Sequence, residues 1–324
     1  MSAGGLQQVI VIPRNGYINR LQAWASASIL AAELRVPSRL LWEPEPAAPG
    51  ELASMLDIAS LASTLVSGEE VTGLLGAAHA SMSRYLTPLP ERGVLVLAGH
   101  DRGEQVFIPA LLELLRADSR LGTLVIIAGG QFHVPATADF DARRRAFYRD
   151  LRWSRALQAR VDEELHERGQ YLAVHVRQTD RSLTAPTARS LRAAVAGLRD
   201  QTNLSRLFVA ADSSGARAQW HGIARELGMQ PWSASDGPVE RDSPHSALDA
   251  MLDWRLLGAA TGLVYSSASS FGHEAATMIG VPERVIGLSA PVRQQRVRAA
   301  QQLARSAVRY PARRWGSGAR RAQG

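Results

Sequence analysis

Short and almost continuous apolar runs recur along the chain, separated by longer segments with helical periodicity. The runs of strand length lie at Gln8–Ile12, Arg39–Trp42, Val94–Ala98, Leu124–Ala128, Tyr171–Val176, Leu207–Ala211 and Leu263–Ser266. Runs without polar alternation are typical of strands buried on both faces of a parallel sheet. The helical segments lie at Asn19–Leu34, Val106–Arg116, Ala142–His166, Thr187–Arg199, Gly215–Leu227 and His245–Ala260. This alternation predicts a doubly wound α/β architecture.

The strand–helix units fall into two series, and the loop and long charged helix that join them mark the boundary. A length of 324 residues agrees with two domains. We therefore predict an N-terminal domain at 1–140, a C-terminal domain at 141–290 and a basic tail at 291–324. The tail is expected to form a terminal helix with a solvated end, and contact with an anionic membrane or a nucleic acid is the alternative.

Composition narrows the chemistry open to the chain. It contains no cysteine and no lysine, which excludes disulfides, cysteine-ligated metals, a cysteine nucleophile, Schiff-base chemistry and a lysine phosphate clamp. The net charge of +7 favours anionic partners such as phosphorylated small molecules. The first residues lack the basic region of an export signal, and no apolar stretch approaches the length of a spanning helix. We therefore expect a cytoplasmic protein without integral membrane contact.

The first candidate segment, PRNGYINRLQ, directly follows the opening strand. Gly16 is expected to allow a tight turn, and the next helix to open around Asn19. Asn15, Asn19 and Arg20 would then lie at the carboxyl end of a strand, near helix N–H groups, where open α/β sheets bind ligands. Considered alone, the segment is better explained as an ordinary strand–helix turn with an asparagine cap.

The second candidate segment, YLAVHVRQTDR, runs from a buried strand into charged residues. Alternation places His175 and Arg177 on the same face of that strand. A guanidinium at the end of a buried strand needs an anion or a carboxylate beside it, and it can hold a phosphate through two hydrogen bonds. An Arg177–Asp180 pair would close the loop and is compatible with such a role.

Two further strand ends carry polar side chains. Asp212 follows the run FVAA, where helix capping is the preferred interpretation and a nucleotide contact is the alternative. Asp249 and Asp253 share one face of the helix predicted at His245–Ala260. Ser269 and Ser270 belong to a serine cluster at a helix start. Together with a nearby threonine, the cluster exceeds what a cap requires and predicts a phosphate cradle.

In this order and spacing, the segments resemble the bacterial relatives of the GT-B fucosyltransferases. That group includes the α1,6-fucosyltransferases, the nodulation fucosyltransferases and the protein O-fucosyltransferases. PRNGYINRLQ and RLLWEPEP resemble the family's opening strand–loop–helix and the strand that follows. VHVRQTD resembles its H-x-R-R-x-D motif, FVAADSS its ATD strand end, and LDWRLLGAA with SSASSFGHEAA its closing motif. The resemblance spans roughly residues 8–290 and implies two Rossmann-like domains whose parallel sheets face each other across a cleft.

The resemblance further implies a GDP-sugar donor, held mainly by the C-terminal domain without a metal or another cofactor. Arg177 would hold the β-phosphate and stabilise the leaving GDP. His175 would approach the nucleoside and Asp253 the guanine edge, while Ser269 and Ser270 would donate hydrogen bonds to the phosphates. The family motif therefore assigns the donor to the ends of the second series of strands.

On the acceptor side, the resemblance implies that Asn19 and Arg20 face the sugar and the acceptor, in the loop that also holds Asn15 and Gly16. An inverting transfer needs the acceptor hydroxyl deprotonated as it attacks. Asp180 is the first choice as the base because it neighbours the predicted clamp, and leaving-group stabilisation with Asn19 is the alternative. The other candidates for the base are Glu43, Glu45, Asp101, His100 and His133.

Two departures from the family pattern accompany this assignment. Gln178 stands where the family has a second arginine, and RSLTAPTARS lacks the carboxylate of the α1,6-type enzymes. We predict an inverting transferase that moves fucose or a related hexose from a GDP-sugar to a hydroxyl of a small molecule or oligosaccharide. The alternatives are an inactive nucleotide-sugar-binding protein of the same fold, or a basic binder of nucleic acid or membrane surfaces. An aromatic content of 6% and the lack of a recognition motif disfavour the last.

Overall fold

The computed structural model describes ten strands and ten helices within one folded unit that ends at Leu288. The described residues are 5–76, 85–100, 113, 115, 117–132, 134, 139–177, 185–235, 246–266 and 269–288. The predicted tail at 291–324 and most of the predicted helix at 106–116 lie outside these residues. The domain limits proposed from the sequence stay predictions.

The described strands form two sheets of five strands each. The first sheet contains β1 (Gln8–Pro13), β2 (Ser38–Leu40), β3 (Tyr85–Leu89), β4 (Val94–His100) and β5 (Thr123–Ala128). The second contains β6 (Leu172–Val176), β7 (Arg206–Ala211), β8 (Gln230–Trp232), β9 (Gly262–Ser266) and β10 (Val285–Leu288). Seven of these strands match the apolar runs of the sequence, which confirms the predicted α/β class.

In the second half of the described chain, helices alternate with strands as predicted, whereas three short helices follow one another between β2 and β3, where no helix was predicted. Four belong to the first half of the chain: α1 (Tyr17–Leu34), α2 (Leu52–Met55), α3 (Ile58–Leu61) and α4 (Gly68–Leu75). Two connect the sheets: α5 (Phe140–Asp150) and α6 (Arg155–Arg168). Four belong to the second half: α7 (Ala185–Thr202), α8 (Ser214–Glu226), α9 (Ser246–Ala259) and α10 (Ser270–Ile279). None of the helices in the described ranges is both long and apolar enough to cross a bilayer.

Strand order creates one reversal point in each sheet. The first sheet has the order β2-β1-β5-β4-β3 and is parallel except for the β3–β4 pair. The second has the order β10-β9-β6-β7-β8 and is parallel throughout. The chain therefore changes direction across the sheet between β1 and β5, and again between β6 and β9. Ligands of open α/β sheets bind outside the carboxyl ends of strands at such points.

Three edge strands were not predicted, and each contains a residue that interrupts its apolar pattern. Pro88 lies in β3, Pro231 in β8 and Gly287 in β10. Proline cannot donate a ladder hydrogen bond, and glycine weakens a strand, so both residues concentrate at sheet edges. All three strands are outermost in their sheets. Their sequences therefore lack the unbroken apolar pattern that identified the central strands.

The long helix predicted at Ala142–His166 is wrong, because α5 and α6 replace it. α5 ends at Asp150, and α6 begins after Ser154, whose hydroxyl accepts a hydrogen bond from the Leu157 amide at 3.3 Å. Between the helices, Trp153 pairs with Leu56 through its backbone. Helical periodicity continues across the break in the sequence, which hides the serine cap that restarts the helix.

One hydrophobic cluster contains side chains from both sheets and from the helices between them. Val11 of the first sheet and Ala173 of the second belong to it. α5 contributes an aromatic row in which Phe147 packs edge-on against Trp24, and Tyr148 packs edge-on against Trp254, with centroid distances of 5.1 and 5.4 Å. The layer between the two sheets is therefore a continuous core, and one face of α5 packs into it.

Candidate functional site at the carboxyl edges of the two sheets

The turn between β1 and α1 is built by Asn15 and not, as predicted, by Gly16. Asn15 has the positive φ of 68°, a conformation that asparagine tolerates, whereas Gly16 has an extended φ of −65°. The Asn15 Nδ2 donates to the Gly129 carbonyl at 2.8 Å, which ties the end of β1 to the end of β5. This bond spans the reversal point of the first sheet.

The helix after this turn begins earlier than predicted. α1 starts at Tyr17 with Gly16 as its N-cap, so the predicted asparagine cap is wrong and Asn19 lies in the first turn of the helix. Gly16 supplies no side-chain hydrogen bond to the helix start. The Asn19 side chain is half-buried and makes no hydrogen bond within the described residues. Its amide is therefore a donor and acceptor that the described protein does not use.

Arg20 is completely buried, and its guanidinium holds the loops of the first sheet together. Its Nε donates to the Asn15 carbonyl at 2.9 Å, and its Nη1 donates to the Glu43 carbonyl at 2.6 Å. Its Nη2 lies 3.1 Å from the Glu45 carboxylate, and Trp42 packs against its face at 4.9 Å. Burial lowers the pKa of Arg20, and Glu45 opposes that effect. Substrate contact by Arg20 stays a prediction.

Two candidates for the base, Glu43 and Glu45, lie beside Arg14 at the same edge. The Arg14 Nη1 is 3.1 Å from Glu43 and 2.5 Å from Glu45. With Arg20, the edge holds two guanidinium groups and two carboxylates whose charges cancel. The two carboxylates thus have ion-pairing roles within the protein, whatever part they take in proton transfer.

The end of β6 meets the start of α10 at the reversal point of the second sheet. β6 and β9 pair up to His175 and Tyr265, and Arg177 follows the last residue of β6 by one position. The buried His175 ring stacks on Phe271, in the first turn of α10, at a centroid distance of 5.1 Å and an interplanar angle of 22°. Arg177 is half-buried. The structure thus brings together the strand end and the helix start that the sequence assigned to the donor phosphates.

The serine cluster is divided between a cap and a first helical residue. Ser269 is 1% exposed, and its hydroxyl oxygen accepts from the Gly272 amide at 3.4 Å, so this serine is the N-cap of α10. Ser270 is half-buried at the first position of α10. Thr277 lies two turns further along α10, so counting it with the cluster was wrong. The hydroxyls at the helix start are consequently fewer than predicted.

Asp212 does not cap the helix that follows it. The cap of α8 is Ser213, whose hydroxyl accepts from the Ala216 amide at 3.2 Å. The Asp212 amide instead donates to the Val176 carbonyl at 3.2 Å, next to Arg177. The preferred interpretation of Asp212 as a cap is therefore wrong. Its alternative, a nucleotide contact at the ends of β6 and β7, stays a prediction.

Asp253 has the most perturbed carboxyl group of the second edge. Burial raises the pKa of Asp253 to about 7, and the like charge of Asp249 adds to the shift, while Arg217 and Arg160 oppose it. Asp249 is itself paired with Arg160 at 2.9 Å, and the Arg217 Nη1 donates to the Ser235 carbonyl at 2.5 Å. A hydrogen-bond donor arriving at Asp253 would favour its charged form.

No family model matches the sequence, and no curated protein matches it. Several solved structures are similar in fold, among them structures of NodZ, POFUT1 and FUT1. NodZ α-1,6-fucosyltransferase soaked with GDP-fucose is 19% identical over 84% of this chain and 92% of that chain, with a TM-score of 0.55. POFUT1 with GDP-fucose is 12% identical over 88% and 97%, with a TM-score of 0.52. A mutant of Arabidopsis thaliana FUT1 with GDP is 14% identical over 85% and 69%, with a TM-score of 0.60.

The chain has a fucosyltransferase-like GT-B fold. This confirms the predicted fold class and the family resemblance at the level of architecture. At identities of 12–19%, the similarity establishes the fold, and the roles of individual residues are argued from their local geometry.

Several candidates in this GT-B fold lie outside the described residues. They are Gln178, Asp180, Asp101, His133 and the side chain of His100. The described ranges contain no group of three or more His, Asp or Glu side chains that could hold a metal ion. Metal independence stays a prediction, as does the choice between Asp180 and Asn19.

Sequence reasoning missed a group of buried polar residues between the two edges. Gln22, Arg144, Tyr148 and Glu274 form it, and all four are buried. Glu274 was visible only as one more residue of the closing motif, GHEAATM. A charged residue within an otherwise apolar helical run is a signal that could have raised the question of its partner.

Proposed function

We propose that the chain is a glycosyltransferase that moves fucose or a related hexose from a GDP-sugar to an acceptor hydroxyl with inversion. The observation that carries this proposal is the His175–Phe271 stack, which holds the end of β6 against the start of α10. Arg177 follows that strand, and Ser270 begins that helix. A guanidinium and helix N–H groups on one side of a reversal point suit a diphosphate.

GDP is the preferred nucleotide for two reasons. The similar NodZ, POFUT1 and FUT1 structures were solved with GDP or GDP-fucose. In addition, Asp253 offers a carboxyl group whose charged form is disfavoured by burial. Guanine carries adjacent N1–H and N2–H₂ donors, which would favour the charged carboxylate on binding.

In the proposed reaction, the acceptor oxygen attacks C1 of the donor sugar as the bond from C1 to the β-phosphate oxygen breaks. The electron pair of that bond leaves with GDP, and Arg177 stabilises the charge that develops there. The acceptor proton passes to a base, for which Asp180 is the first choice. In the alternative, the acceptor proton passes to an oxygen of the departing diphosphate, which Arg177 stabilises, and the Asn19 amide orients the acceptor. No metal takes part in this proposal.

A thermal-shift comparison of GDP, UDP, TDP, ADP and CDP tests the donor assignment. We expect GDP alone to raise the Tm, by the amount that mass action gives for a ligand of the folded state. A shift with another nucleotide alone would contradict the GDP assignment. Absence of any shift at millimolar concentrations would overturn the nucleotide-sugar function itself.

Arg177→Ala tests the predicted phosphate clamp. Hydrolysis of GDP-fucose by water provides an acceptor-free assay, and we expect the variant to lose at least about 100-fold in kcat, because one group that stabilises developing charge is removed. Arg189→Ala is the matched control, since Arg189 is exposed on α7 of the same half of the chain. Near-parental turnover by Arg177→Ala would remove this residue from the mechanism. If the parent binds GDP but neither hydrolyses GDP-fucose nor transfers fucose to any acceptor, the protein would instead be a binding protein.

A further inference from the structure

Four buried side chains from three helices meet at one carboxylate between the two sheets. The Glu274 Oε1 accepts from the Gln22 Nε2 at 2.6 Å and lies 3.1 Å from the Arg144 Nη1. The Glu274 Oε2 accepts from the Tyr148 hydroxyl at 2.7 Å. We call these four residues the Glu274 cluster. Each oxygen of the carboxylate is thus bonded to a helix other than its own.

The charges of the Glu274 cluster are fully desolvated. Arg144, Glu274 and Tyr148 are each 0% exposed. Burial, with Glu274 beside it, raises the pKa of Tyr148 well above its usual range, so the phenol stays protonated and keeps donating. Arg144 also bonds to Gln131 and, at 3.0 Å, to the Thr277 hydroxyl.

Stability alone is a poor reason for such a cluster. Removing two charges from water costs several kcal/mol, and replacement of a buried ion pair by apolar residues of similar volume is often neutral or stabilising. A fully bonded carboxylate, by contrast, specifies one arrangement of the elements that reach it, because any shift leaves a buried charge or donor without its partner. The geometry of the cluster is therefore suited to fixing the positions of helices.

The helices that the cluster joins are those that begin at the two edges. Glu274 lies in α10, one turn after Ser270 and Phe271 at the second edge. Gln22 lies in α1, one turn after Asn19 at the first edge. α5, which supplies the other two members, contacts both helices. The Glu274 carboxylate therefore joins α10, which begins on the donor side, to α1, which begins on the acceptor side, and to α5.

We propose that Glu274 is a positioning residue, which holds the start of α10 and the start of α1 in one fixed relation across the two sheets. This inference rests on the proposed function for its consequence in catalysis. The fixed relation itself is a property of the fold and can be measured without a substrate. In transfer, it would keep C1 of the donor sugar and the acceptor hydroxyl within attack distance, where a misplacement of about 1 Å can cost about 100-fold in rate.

The test needs a variant that loses the cluster but still folds. Glu274→Gln leaves the buried Arg144 with only the exposed carboxylate of Asp141, 3.4 Å from its Nη2, as a counter-charge and is expected to be strongly destabilised. The fourfold variant Gln22→Leu, Arg144→Met, Tyr148→Phe and Glu274→Leu removes every member together, so no buried charge remains unpaired. We expect its Tm to stay close to that of the parent. Leu191→Ala, which leaves a cavity in the separate core beneath α7, is the control for a loss of stability that spares the cluster.

The first readout is the distance between the two halves of the chain. The protein has no cysteine, so Glu69→Cys on α4 and Arg225→Cys on α8, both exposed positions, take spin labels selectively. We expect a narrow distance distribution in the labelled parent and in Leu191→Ala, and a distribution at least twice as broad in the fourfold variant. An equally narrow distribution in the fourfold variant would overturn the inference.

The second readout separates the inference from the proposed function. The GDP dissociation constant needs only the second edge, and we expect it to change less than about 3-fold in the fourfold variant. Fucosyl transfer needs both edges, and with any acceptor that the parent uses we expect kcat to fall about 100-fold while hydrolysis of GDP-fucose persists. Transfer at the parental kcat would overturn the positioning role. A parent that does not bind GDP would refute the proposed function, and the spin-label result would still decide the inference.

Discussion

The carboxyl edges of the two sheets differ in how their charges are satisfied. At the first edge, Arg14 and Arg20 face Glu43 and Glu45, and the four charges cancel within the protein. At the second, Asp253 is half-buried, and its pKa is raised to about 7 because burial and Asp249 outweigh the nearby arginines. The ion pairs of the first edge thus form an internally bonded platform, whereas the second edge has a carboxyl group, that of Asp253, whose charged form is disfavoured.

Among single substitutions at the two edges, loss of Arg20 from the platform of the first edge should lower the free energy of unfolding the most. Arg20→Met removes the guanidinium that bonds two carbonyls and approaches Glu45. We expect the free energy of unfolding to fall by about 3 kcal/mol, because buried acceptors lose their partner. Denaturant titration measures this loss.

The control for Arg20→Met is Arg39→Met at the edge of the same sheet. The Arg39–Glu70 pair is more exposed, with side-chain exposures of 27% and 38%, and a pair of this kind contributes less than about 1 kcal/mol. Equal losses in the two variants would mean that burial of Arg20 has no special part in the platform.

This contrast also explains which features could be predicted from the sequence. Central strands such as β1 and β6 are apolar runs and were predicted nearly to their ends, because burial on both faces requires such runs. The burial of Arg20 was not predictable, since two of its partners, Glu43 and Glu45, lie on a loop more than twenty residues away. The Glu274 cluster was hidden for the same reason: its members are far apart in sequence and meet only in the folded protein.

Local chemistry was misjudged where two similar residues stand side by side. Asn15 and Gly16 are both turn formers, and Asp212 and Ser213 are both cap formers. The structure gives the positive φ to the asparagine and the cap to the serine. Propensity alone cannot choose between adjacent candidates, because a shift of one residue in the helix start decides which of them is the cap.

Asp253→Asn tests the second edge through its pH dependence. The folded-state pKa of Asp253 is raised above its ordinary value to about 7, so the folded protein is penalised as pH rises from about 4 to 7, and the full penalty applies above 7. We expect the variant to match the parent near pH 4. At pH 8 it should be more stable by ~2 kcal/mol, after allowance for the part of the side chain that water still reaches.

Folding and nucleotide binding are expected to have opposite effects on Asp253, because folding disfavours its charged form and the nucleotide favours it. If guanine donors meet Asp253, binding favours the charged carboxylate, so the GDP affinity of the parent should rise with pH through 7. Asp253→Asn should bind more weakly and lose this dependence. Asp249→Asn removes a like charge, and it should move the transition to lower pH. Calorimetry from pH 5.5 to 8.5 tests this pattern, which a pH-independent affinity in the parent would contradict.

A smaller effect separates the two residues at the end of β7. Ser213→Ala removes the cap of α8 and should cost about 1 kcal/mol of stability. Asp212→Asn removes no cap, so it should cost less stability than Ser213→Ala, while the thermal shift caused by GDP decreases. Equal losses of stability with an unchanged GDP shift would show that Asp212 supports the fold and does not contact the nucleotide.

The smallest expected change in stability is at Gly16, which lies at the first edge. This N-cap offers α1 no side-chain hydrogen bond, and a Cβ placed there would meet only the Ala47 carbonyl oxygen, at 3.9 Å. The fold therefore has room for Gly16→Ser, and a serine cap should stabilise it by ~0.5 kcal/mol. If the uncapped N–H groups serve the ligand, the more stable variant should be the less active one, with KM for the acceptor raised several-fold and GDP binding unchanged. A variant with improved stability and parental kinetics would mean that Gly16 does not contact the substrate, and the acceptor side of the site would then begin at Asn19.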